Sequence, residues 1–283
     1  MVSQLTILGP GLLGGSVGLA ARQRKLAQRV VVWARRPEAV DEAVRCGAAD
    51  AGTTDLREAV RGASAVVFAT PVGVMESLAD QIREDVAPEC FVTDVGSVKY
   101  PVVRTLSARF GRFIGAHPMA GSEQTGLSAA RVDLFERAVC ILTPVECTEP
   151  VALQWGHDFW KALGCVVRTM PPTVHDEVVA RVSHLPHVVA AAVVNVVAGG
   201  DGEALQFAGP GFRDFSRIAS GPPEMWTEIC MENRDELRRA LGKLMEELDR
   251  WRVALDNRDV VELRALLRKA KRYRDEWRMR SEG

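Results

Sequence analysis

Residues 5–14, Leu-Thr-Ile-Leu-Gly-Pro-Gly-Leu-Leu-Gly, give the clearest indication of the fold. The first four of these residues predict a buried strand, and the rest fits the pattern G-x-G-x-x-G at the start of a helix. Gly9 allows a tight turn, Gly11 lets a pyrophosphate approach the backbone, and Gly14 lets the helix pack against the strand. The helix N-terminus then faces the anion. The alternative is a glycine-rich turn without a ligand. This strand–loop–helix unit predicts that a dinucleotide binds at Gly9, Gly11, Leu12, Leu13 and Gly14.

The end of the second predicted strand, residues 30–33, indicates which dinucleotide binds. Chains that bind NAD carry an acidic residue about 20 positions beyond the glycines, where it holds a ribose 2′-hydroxyl. Here Ala34 stands at that place, followed by Arg35 and Arg36. Two guanidiniums can bind a 2′-phosphate, so the sequence favours NADP, with NAD as the alternative cofactor. The arginines could instead belong to a solvated loop. Two further cofactor contacts are predicted after the next buried strand, at Thr70 and Pro71.

Apolar strand-like runs alternate with helix-like stretches through the first 169 residues, which predicts a parallel sheet covered on both faces. The predicted strands are residues 5–8, 30–33, 65–70, 91–94, 113–115, 139–143 and 165–169. The predicted helices between them are residues 13–27, 39–46, 75–82 and 150–163. No strand is predicted beyond Pro171. We therefore divide the chain into a dinucleotide-binding domain, residues 1–172, and a helical domain, residues 173–283.

The helical domain shows three separate signals. Residues 176–197 predict one long helix with a kink or break at Pro186, because proline lacks the backbone N–H and strains the preceding turn. Residues 199–202 predict a loop. An apolar stripe then steps by three and four residues from Leu237 to Leu255, and the turn 256–259 predicts the cap of a last helix. Such a stripe is typical of a helix that packs on another, within a hairpin or in a partner chain.

Composition places the chain among ordinary globular proteins. Of its 283 residues, 47% are hydrophobic and 26% charged, and the formal net charge of −1 gives no bias towards nucleic acid or a membrane. The six cysteines form no C-x-x-C pair and predict reduced thiols without a metal site. No signal peptide is predicted before Leu5, and the longest apolar stretch, residues 188–198, contains Asn195 and is too short for a bilayer. We expect a cytoplasmic protein with a small-molecule substrate and without nucleic-acid or membrane partners.

Residues 115–123, Gly-Ala-His-Pro-Met-Ala-Gly-Ser-Glu, carry the candidate for proton transfer. His117 follows an apolar run, at the strand end where ligands bind in such sheets. An imidazole is suited to act as a general base near neutral pH, and the alternative is a structural histidine bonded to backbone. Ser97 and Lys99 follow another predicted strand and could orient a polar substrate. Ser97 could equally cap a helix.

A second polar stretch, residues 211–219, places Asp214 and Arg217 three positions apart, where they could pair on one helix face. Arginine is the usual receptor for a substrate carboxylate, and an exposed ion pair is the alternative. His184 and His187 lie on the interrupted helix. They lack a carboxylate at metal-ligand spacing, which argues against a metal site, and either could contact a polar substrate.

Taken together, these motifs resemble the prephenate/arogenate dehydrogenase family of tyrosine biosynthesis. The resemblance covers almost the whole chain and rests on residues 9–20, 94–99, 115–123, 175–187 and 211–219, in that order. It implies an α/β fold, with a Rossmann-type, mostly parallel sheet domain followed by an all-helical domain that dimerises by intertwining. A homodimer is therefore expected. The stripe from Leu237 to Leu255 is consistent with it, although a plain hairpin core gives the same pattern.

The resemblance also implies a reaction. Hydride leaves C4 of a cyclohexadienol for the nicotinamide while a base takes the C4 hydroxyl proton, and the ring carboxylate then leaves as carbon dioxide. By this resemblance His117 is the base, Ser97 orients it, and Arg217 clamps the ring carboxylate. Supporting roles fall to six other positions: orientation of the clamp by Asp214, contact with the substrate side chain by His184 and Trp226, and lining of the pocket by Lys99, Ser122 and Glu123.

The substrate is either prephenate, which would give 4-hydroxyphenylpyruvate, or L-arogenate, which would give L-tyrosine. These differ by a keto or an amino group, and the sequence leaves the choice open. The ribose-binding acid of the NAD-using members is absent, which supports NADP. Two other interpretations are a reductase of the same architecture acting on a β-hydroxy acid or an imine, and a non-catalytic NADP-binding sensor. The sharpest structural expectation is that the helical domain brings Arg217 opposite His117.

Overall fold

The computed structural model of this protein describes residues 2–121, 124–199 and 203–282, with side chains described up to Met279. The predicted pocket residues Ser122 and Glu123, and residues 200–202 of the predicted loop, lie outside the described residues. The chain forms two compact units that divide between Arg234 and Asp235. The predicted domain boundary at residue 172 falls inside the first unit and stays a prediction.

The first unit contains one eight-stranded sheet. Its strands are β1 (Val2–Leu8), β2 (Ala27–Trp33), β3 (Ala51–Thr53), β4 (Ala65–Phe68), β5 (Phe91–Asp94), β6 (Phe113–Pro118), β7 (Val139–Thr143) and β8 (Val166–Thr169). Their order across the sheet is β3-β2-β1-β4-β5-β6-β7-β8. All neighbouring strands run parallel except β6 and β7. The predicted Rossmann-type, mostly parallel sheet is confirmed.

Helices connect these strands and follow the sheet. In the sheet region they are α1 (Leu12–Gln23), α2 (Pro37–Arg45), α3 (Leu56–Val60), α4 (Val72–Ile82), α5 (Tyr100–Ser107) and α6 (Pro150–Ala162). Later in the first unit come α7 (Pro172–Val179), α8 (Leu185–Ala198), α9 (Pro210–Ser216) and α10 (Pro223–Glu232). Almost all of the second unit is α11 (Arg234–Asp256) and α12 (Val260–Glu282). Among the described residues no strand follows β8, as the sequence predicts.

Continuous apolar strands bury both faces of the sheet, because successive side chains of a strand point to opposite faces. On β2, Val30 and Val32 pack into one apolar cluster, whereas Val31 and Trp33 pack into another. The first cluster includes side chains of α1 and α6, and the second includes those of α3, α4 and α5. Each face of the sheet is thus covered, and polar ligands are left with the edge where the strands end.

In the sheet region the structure adds three elements to the prediction, β3, α3 and α5. They contain 3, 5 and 8 residues and are too short to show a clear period. α1 ends earlier than predicted, because Lys25 adopts a left-handed conformation (φ 54°) and β2 begins at Ala27. β7 runs antiparallel to β6 because the described residues between them form only a 3₁₀ turn, Leu127–Ala129, and no crossover helix.

The predicted interruption at Pro186 takes the form of a π-helical turn, Ala180–His184, between α7 and α8. Proline has no N–H to donate, and its ring crowds the carbonyl four residues earlier. A wider turn just before the proline meets both demands while the helical path continues. This turn leaves His184 only 1% exposed.

The helical run Pro172–Ala198 has the length and the mean hydropathy, 1.3, of a candidate membrane span. No span is predicted from the sequence, because the longest apolar stretch covers only residues 188–198. Core helices of soluble proteins can have the same length and composition.

The second unit is a helical hairpin. Arg258 turns the chain with a φ of 51°, and Asp259 Oδ1 accepts a 2.9 Å hydrogen bond from the backbone N–H of Glu262. This is the predicted cap of the last helix. A 2.6 Å ion pair between Arg250 and Glu262 joins the two helices.

Candidate active site

The predicted ligand edge brings together loops from five strands. Gly9 follows β1, Ala34 follows β2, Thr70 follows β4, Gly96 follows β5, and His117 lies at the end of β6. Ligands of open parallel sheets bind outside the carboxyl ends of the strands. The sequence-predicted cofactor loop and the candidate base therefore share one edge of the sheet.

The glycine loop has the shape of a phosphate cradle. Gly9 has a φ of +100°, and a Cβ there would lie 2.9 Å from the carbonyl oxygen of Ala69. A Cβ on Gly14 would lie 2.1 Å from the carbonyl oxygen of Gly9. At Gly11, in contrast, a Cβ would meet nothing within 4 Å. Packing thus requires the outer two glycines, and the middle one borders open space where a ligand can approach the backbone.

Thr70 gives a second sign of a ligand at this edge. Its hydroxyl is buried and has no hydrogen-bond partner among the described residues. Such orphaned groups are rare, because an unpaired buried hydroxyl costs about 1–3 kcal/mol. Pro71 follows, at the N-cap position of α4. Together with the glycine loop, these residues fit a dinucleotide.

The arginines after β2 are available to a ligand. Arg35 and Arg36 are exposed, whereas Ala34 is buried. Neither guanidinium has an ion pair or a hydrogen bond within the described parts of the chain. Leu12 and Leu13, at the start of α1, are partly exposed and pack against the core.

The candidate base His117 is held from the helical region. Its Nδ1 lies 2.8 Å from Nε2 of His175, and Nδ1 of His175 lies 2.7 Å from Oδ1 of Asp176. The Asp176 carboxylate also accepts hydrogen bonds from the backbone N–H groups of Lys99 (2.7 Å) and Tyr100 (2.8 Å). His117 is 8% exposed, and its Nε2 has no hydrogen-bond partner among the described residues. Only that nitrogen is left for a substrate.

Burial sets the protonation of this histidine pair. It lowers the pKa of His117 well below 6.5, and the neighbouring His175, Lys99 and His184 act in the same direction. Burial also lowers the pKa of His175, although Asp176 opposes the shift. Both imidazoles are therefore neutral near pH 7. A neutral His117 can accept a proton.

A buried ion pair supports the backbone on which His117 stands. Lys99 donates from Nζ to the Asp94 carboxylate and to the carbonyl oxygen of Ala116 (2.9 Å). Asp94 in turn accepts from the backbone N–H of Ala116 (3.1 Å). The backbone pairing of β5 with β6 ends at Ile114. The Asp94 and Lys99 side chains thus extend the contact between β5 and β6 to Ala116, directly before the candidate base His117.

Lys99 differs from what the sequence predicts, and one of the two roles considered for Ser97 is excluded. The Lys99 side chain is fully buried and pairs with Asp94, so it supports the site and does not line the pocket. Ser97 is partly exposed, and no described residue hydrogen-bonds its hydroxyl. The alternative that Ser97 caps a helix is wrong, because α5 begins at Tyr100 and Asp176 accepts its N-terminal N–H. The Ser97 hydroxyl is therefore available to a ligand.

His184 ends in a buried nitrogen without a partner. Asn233 Nδ2 lies 3.2 Å from His184 Nδ1 and donates to the backbone oxygen of Asp176 (2.9 Å). If Nδ1 accepts from this amide, Nε2 carries the proton and is a buried donor without an acceptor among the described residues. Burial lowers the pKa of His184 to about 4. Trp226 stacks on His187 with ring centroids 3.4 Å apart and meets His184 edge-on at 6.2 Å.

The predicted pair of Asp214 and Arg217 is not found, and the role of Arg217 as a carboxylate clamp stays a prediction. Asp214 and Arg217 are both exposed, and no ion pair or hydrogen bond joins them. The reason is local: α9 ends at Ser216, and Arg217 opens a 3₁₀ turn, so the two residues do not share one α-helical face. The approach of Arg217 to His117 stays a prediction.

Sequence reasoning missed four residues of this site: Asp94, His175, Asp176 and Asn233. His175 and Asp176 open the 175–187 motif, which supports the family resemblance without indicating what either residue touches. The partners lie 58 residues apart for His117 and His175, and 57 apart for Asp176 and Asn233. Local spacing carries no signal at that range. The one hint in the sequence is Asp94, a charged residue at the end of the apolar predicted strand 91–94.

The cradle and the neutral histidine at one sheet edge define a class, an oxidoreductase that uses a nicotinamide dinucleotide. Comparison with known proteins narrows the class. Residues 17–169 match the family model "Prephenate dehydrogenase, nucleotide-binding domain", and residues 171–269 match "Prephenate dehydrogenase, dimerization domain". The chain belongs to the prephenate dehydrogenase family.

Individual relatives agree with this. The prephenate dehydrogenase of Bacillus subtilis is 33% identical over 100% of this chain and 78% of its own length. The structure of Aquifex aeolicus prephenate dehydrogenase in complex with hydroxyphenyl propionate and NAD+ matches with a TM-score of 0.92 and 31% identity, covering 98% of each chain. Synechocystis arogenate dehydrogenase matches with a TM-score of 0.84 and 30% identity, over 97% of this chain and 99% of its own.

Proposed function

We propose that this protein is a prephenate dehydrogenase, which oxidatively decarboxylates prephenate to 4-hydroxyphenylpyruvate and prefers NADP. The proposal rests above all on His117, whose Nδ1 is held by His175 while Nε2 has no partner among the described residues. L-Arogenate is the alternative substrate, because the Synechocystis arogenate dehydrogenase is nearly as similar as the Aquifex prephenate dehydrogenase, with 30% against 31% identity.

His117 takes the proton of the substrate C4 hydroxyl at Nε2. A nicotinamide dinucleotide held by the glycine loop 9–14 and Thr70 would supply the acceptor for the hydride that leaves C4. The carbon thereby becomes a ketone, and the ring carboxylate leaves as carbon dioxide while its bonding electrons make the ring aromatic. Burial keeps the pKa of His117 low, so the imidazole is in the accepting form at neutral pH. Ser97, with its unpaired hydroxyl at the same edge, orients the substrate oxygen.

Turnover with defined pairs tests the assignment. Absorbance of the reduced nicotinamide is followed with prephenate or L-arogenate, each with NAD or NADP. We expect the highest kcat/KM with prephenate and NADP. The absence of signal from all four pairs would refute the assignment, and a higher kcat/KM with L-arogenate would make the alternative the function.

His117→Ala separates chemistry from nucleotide binding. The variant should bind NADPH normally, measured by fluorescence titration, and lose kcat by at least ~100-fold, since a general base contributes about 10²–10⁴-fold. His157→Ala is the matched control, because His157 is an exposed histidine on α6. Unchanged turnover in His117→Ala would overturn the mechanism and would also admit the non-catalytic sensor.

The preference for NADP rests on Arg35 and Arg36, which carry no partner within the described residues. Replacing both by serine should raise KM for NADP by at least ~10-fold and leave KM for NAD within ~2-fold, since charge-assisted bonds to a phosphate are lost. Arg29→Ser, an exposed arginine near the start of the same strand, is the control. Faster turnover of the unaltered protein with NAD would overturn this part alone.

Arg217 is proposed as the clamp for the ring carboxylate, with Asp214 beside it. Trp226 and His184 then contact the substrate side chain, the latter through its buried, unpaired Nε2. Arg217→Lys keeps the charge but loses the bidentate geometry, so KM for prephenate should rise by ~10-fold with kcat less affected. An unchanged KM would remove Arg217 from the site.

We further propose a homodimer through the helical domain, residues 173–283. The matching dimerization domain of the family supports it, as do apolar side chains exposed in this region, with Val182 62%, Val196 80% and Phe207 83% exposed. An interface in this region would remove these side chains from water. Light scattering after size exclusion should give twice the chain mass of 30.9 kDa, and a monomer would contradict the proposal. The cytoplasmic location and the lack of nucleic-acid or membrane partners stay predictions.

A further inference from the structure

We propose that His175 is a positioning residue that fixes the tautomer of His117, and that Asp176 fixes His175 in turn. The inference deepens the proposed function, and its catalytic consequence rests on that function. Its structural part, the placement of two protons on two imidazoles, stands independently.

The donor and acceptor of each hydrogen bond in the series His117–His175–Asp176 follow from the partners of Asp176. Oδ1 accepts from Lys99 N and Oδ2 accepts from Tyr100 N, so both oxygens act as acceptors. Nδ1 of His175, 2.7 Å from Oδ1, must therefore donate. A neutral imidazole has one donor and one acceptor, so Nε2 of His175 accepts, and the 2.8 Å contact makes Nδ1 of His117 the donor. The lone pair of His117 is left on Nε2.

Hydrogen bonds with backbone groups fix the Asp176 end of this hydrogen-bond series. Lys99 N and Tyr100 N, which bind the Asp176 carboxylate, belong to the first turn of α5. The backbone oxygen of Asp176 is bound by Asn233. His175 is fully buried, so water does not compete for either of its nitrogens. The aspartate has little freedom to turn, and it holds the imidazole in one orientation.

The same chain stabilises the proton once it has been taken. After protonation at Nε2, the Nδ1–H of His117 becomes a charge-assisted donor to His175, and such bonds are roughly twice as strong as neutral ones. The other charged or titratable groups facing the two rings are Lys99 and Asp94, which neutralise each other, and His184. Asp176 is thus the last acceptor in the series of hydrogen bonds that runs from His117 through His175.

The arrangement also links two parts of the fold. His117 stands on β6 of the sheet, and His175 stands on α7 after it. Without His175, the Nδ1–H of His117 is a buried donor with no acceptor, and the imidazole gains by moving its proton to Nε2. That tautomer cannot take a proton from the substrate at Nε2.

Nitrogen NMR tests the tautomer without turnover. The chain has five histidines, so selective ¹⁵N labelling gives few signals. At about pH 7.5, the unaltered protein should show His117 protonated at Nδ1 and unprotonated at Nε2. His175→Phe should shift His117 towards the Nε2-protonated form. Protonation of Nε2 in the unaltered protein would overturn the proposal, whether or not prephenate is the substrate.

Kinetics test the consequence for catalysis. His175→Phe should lower kcat by at least ~100-fold, with KM for prephenate within ~3-fold, in line with the large effect of a wrong tautomer in triad enzymes. His175→Gln supplies an amide oxygen that can accept from His117, and it should keep at least ~10-fold more activity than the phenylalanine variant. In a plot of kcat/KM against pH, the acid limb of His175→Gln should lie closer to that of the unaltered protein than the acid limb of His175→Phe does.

The matched control is His157→Phe, which alters the same His-Asp dipeptide on the exposed surface of α6. It should leave kcat within ~2-fold. Equal activity of the phenylalanine and glutamine variants of His175, both folded by circular dichroism, would show that only volume matters there and would overturn the positioning role. If His175→Phe does not fold, the NMR spectrum of the unaltered protein still decides the tautomer.

Discussion

Lys99→Met removes one charge from a pair in which both side chains are fully buried. Methionine has nearly the length of lysine without its ammonium, so the cavity stays filled. Asp94 keeps two donors, the backbone N–H groups of Gly96 (2.8 Å) and Ala116 (3.1 Å), and loses its cation. The Ala116 carbonyl oxygen loses its 2.9 Å bond to Nζ. An uncompensated buried carboxylate remains beside the strand that carries the proposed base, His117.

The cost follows from this geometry. Removing one partner of a buried pair destabilises a protein by about 3–5 kcal/mol, and the two remaining donors favour the lower half of that range. We expect the free energy of unfolding to fall by about 4 kcal/mol, once the lost bond to the Ala116 carbonyl is included. The melting temperature should fall by roughly 10 °C. Adding Asp94→Asn should return part of this loss, with a coupling energy of about 2 kcal/mol.

Urea unfolding, followed by tryptophan fluorescence, measures this loss. The slope with denaturant must stay constant for the midpoint shift to report stability. Lys271→Met is the control, since Lys271 forms an exposed i,i+4 pair with Asp275 and should contribute no more than about 0.5 kcal/mol. A loss below about 1 kcal/mol for Lys99→Met would refute the reasoning, because it would mean that water or relaxation already solvates the pair.

Three other perturbations follow from the same structure. The pKa of His184 falls to about 4 on folding, so the unfolded chain takes up the proton at a higher pH than the folded protein does. The free energy of unfolding therefore decreases as the pH falls below 6.5, by about 2 kcal/mol at pH 5. In urea unfolding, His184→Asn should lack this pH-dependent loss of about 2 kcal/mol. Gly11→Ala should keep the melting temperature but weaken NADPH binding by at least ~10-fold. Gly14→Ala should weaken NADPH binding and also lower the free energy of unfolding by about 1–3 kcal/mol. Equal stability of the two variants would count against the phosphate cradle. Gly221→Ala places a Cβ 2.4 Å from Nε1 of Trp226, so the indole must move, and both its fluorescence and KM for prephenate should change.

Much of the fold could be predicted because its signals are local. A buried strand is an apolar run, so the predicted strands at 91–94 and 139–143 coincide with β5 and β7. The glycine motif is local as well, since Gly9 adopts a φ of +100° that other residues rarely adopt. His117 could be placed at the ligand edge because it directly follows one of these runs.

The parts that escaped prediction are decided by contacts between distant residues. No local pattern marks α5, whose first N–H is accepted by a carboxylate 76 residues away. Ser97 satisfied the local rule for a helix cap and is not used as one. Asp214 and Arg217 satisfied the spacing rule for an ion pair, but the helix ends between them. In each of these cases a rule about neighbours in sequence was overruled by packing.

Asp176 shows why the site and the fold are hard to separate here. Its carboxylate satisfies the start of α5 and also holds His175, so Asp176→Asn would disturb a helix end and an imidazole at once. A loss of activity in that variant would not distinguish the two effects. His175 is the informative position, because its two ring nitrogens contact only Asp176 and His117 among the described residues. Docking of α7 therefore completes the surroundings of the proposed catalytic histidine, and the proposed chemistry depends on a contact that forms only when the sheet and the helices after it have folded together.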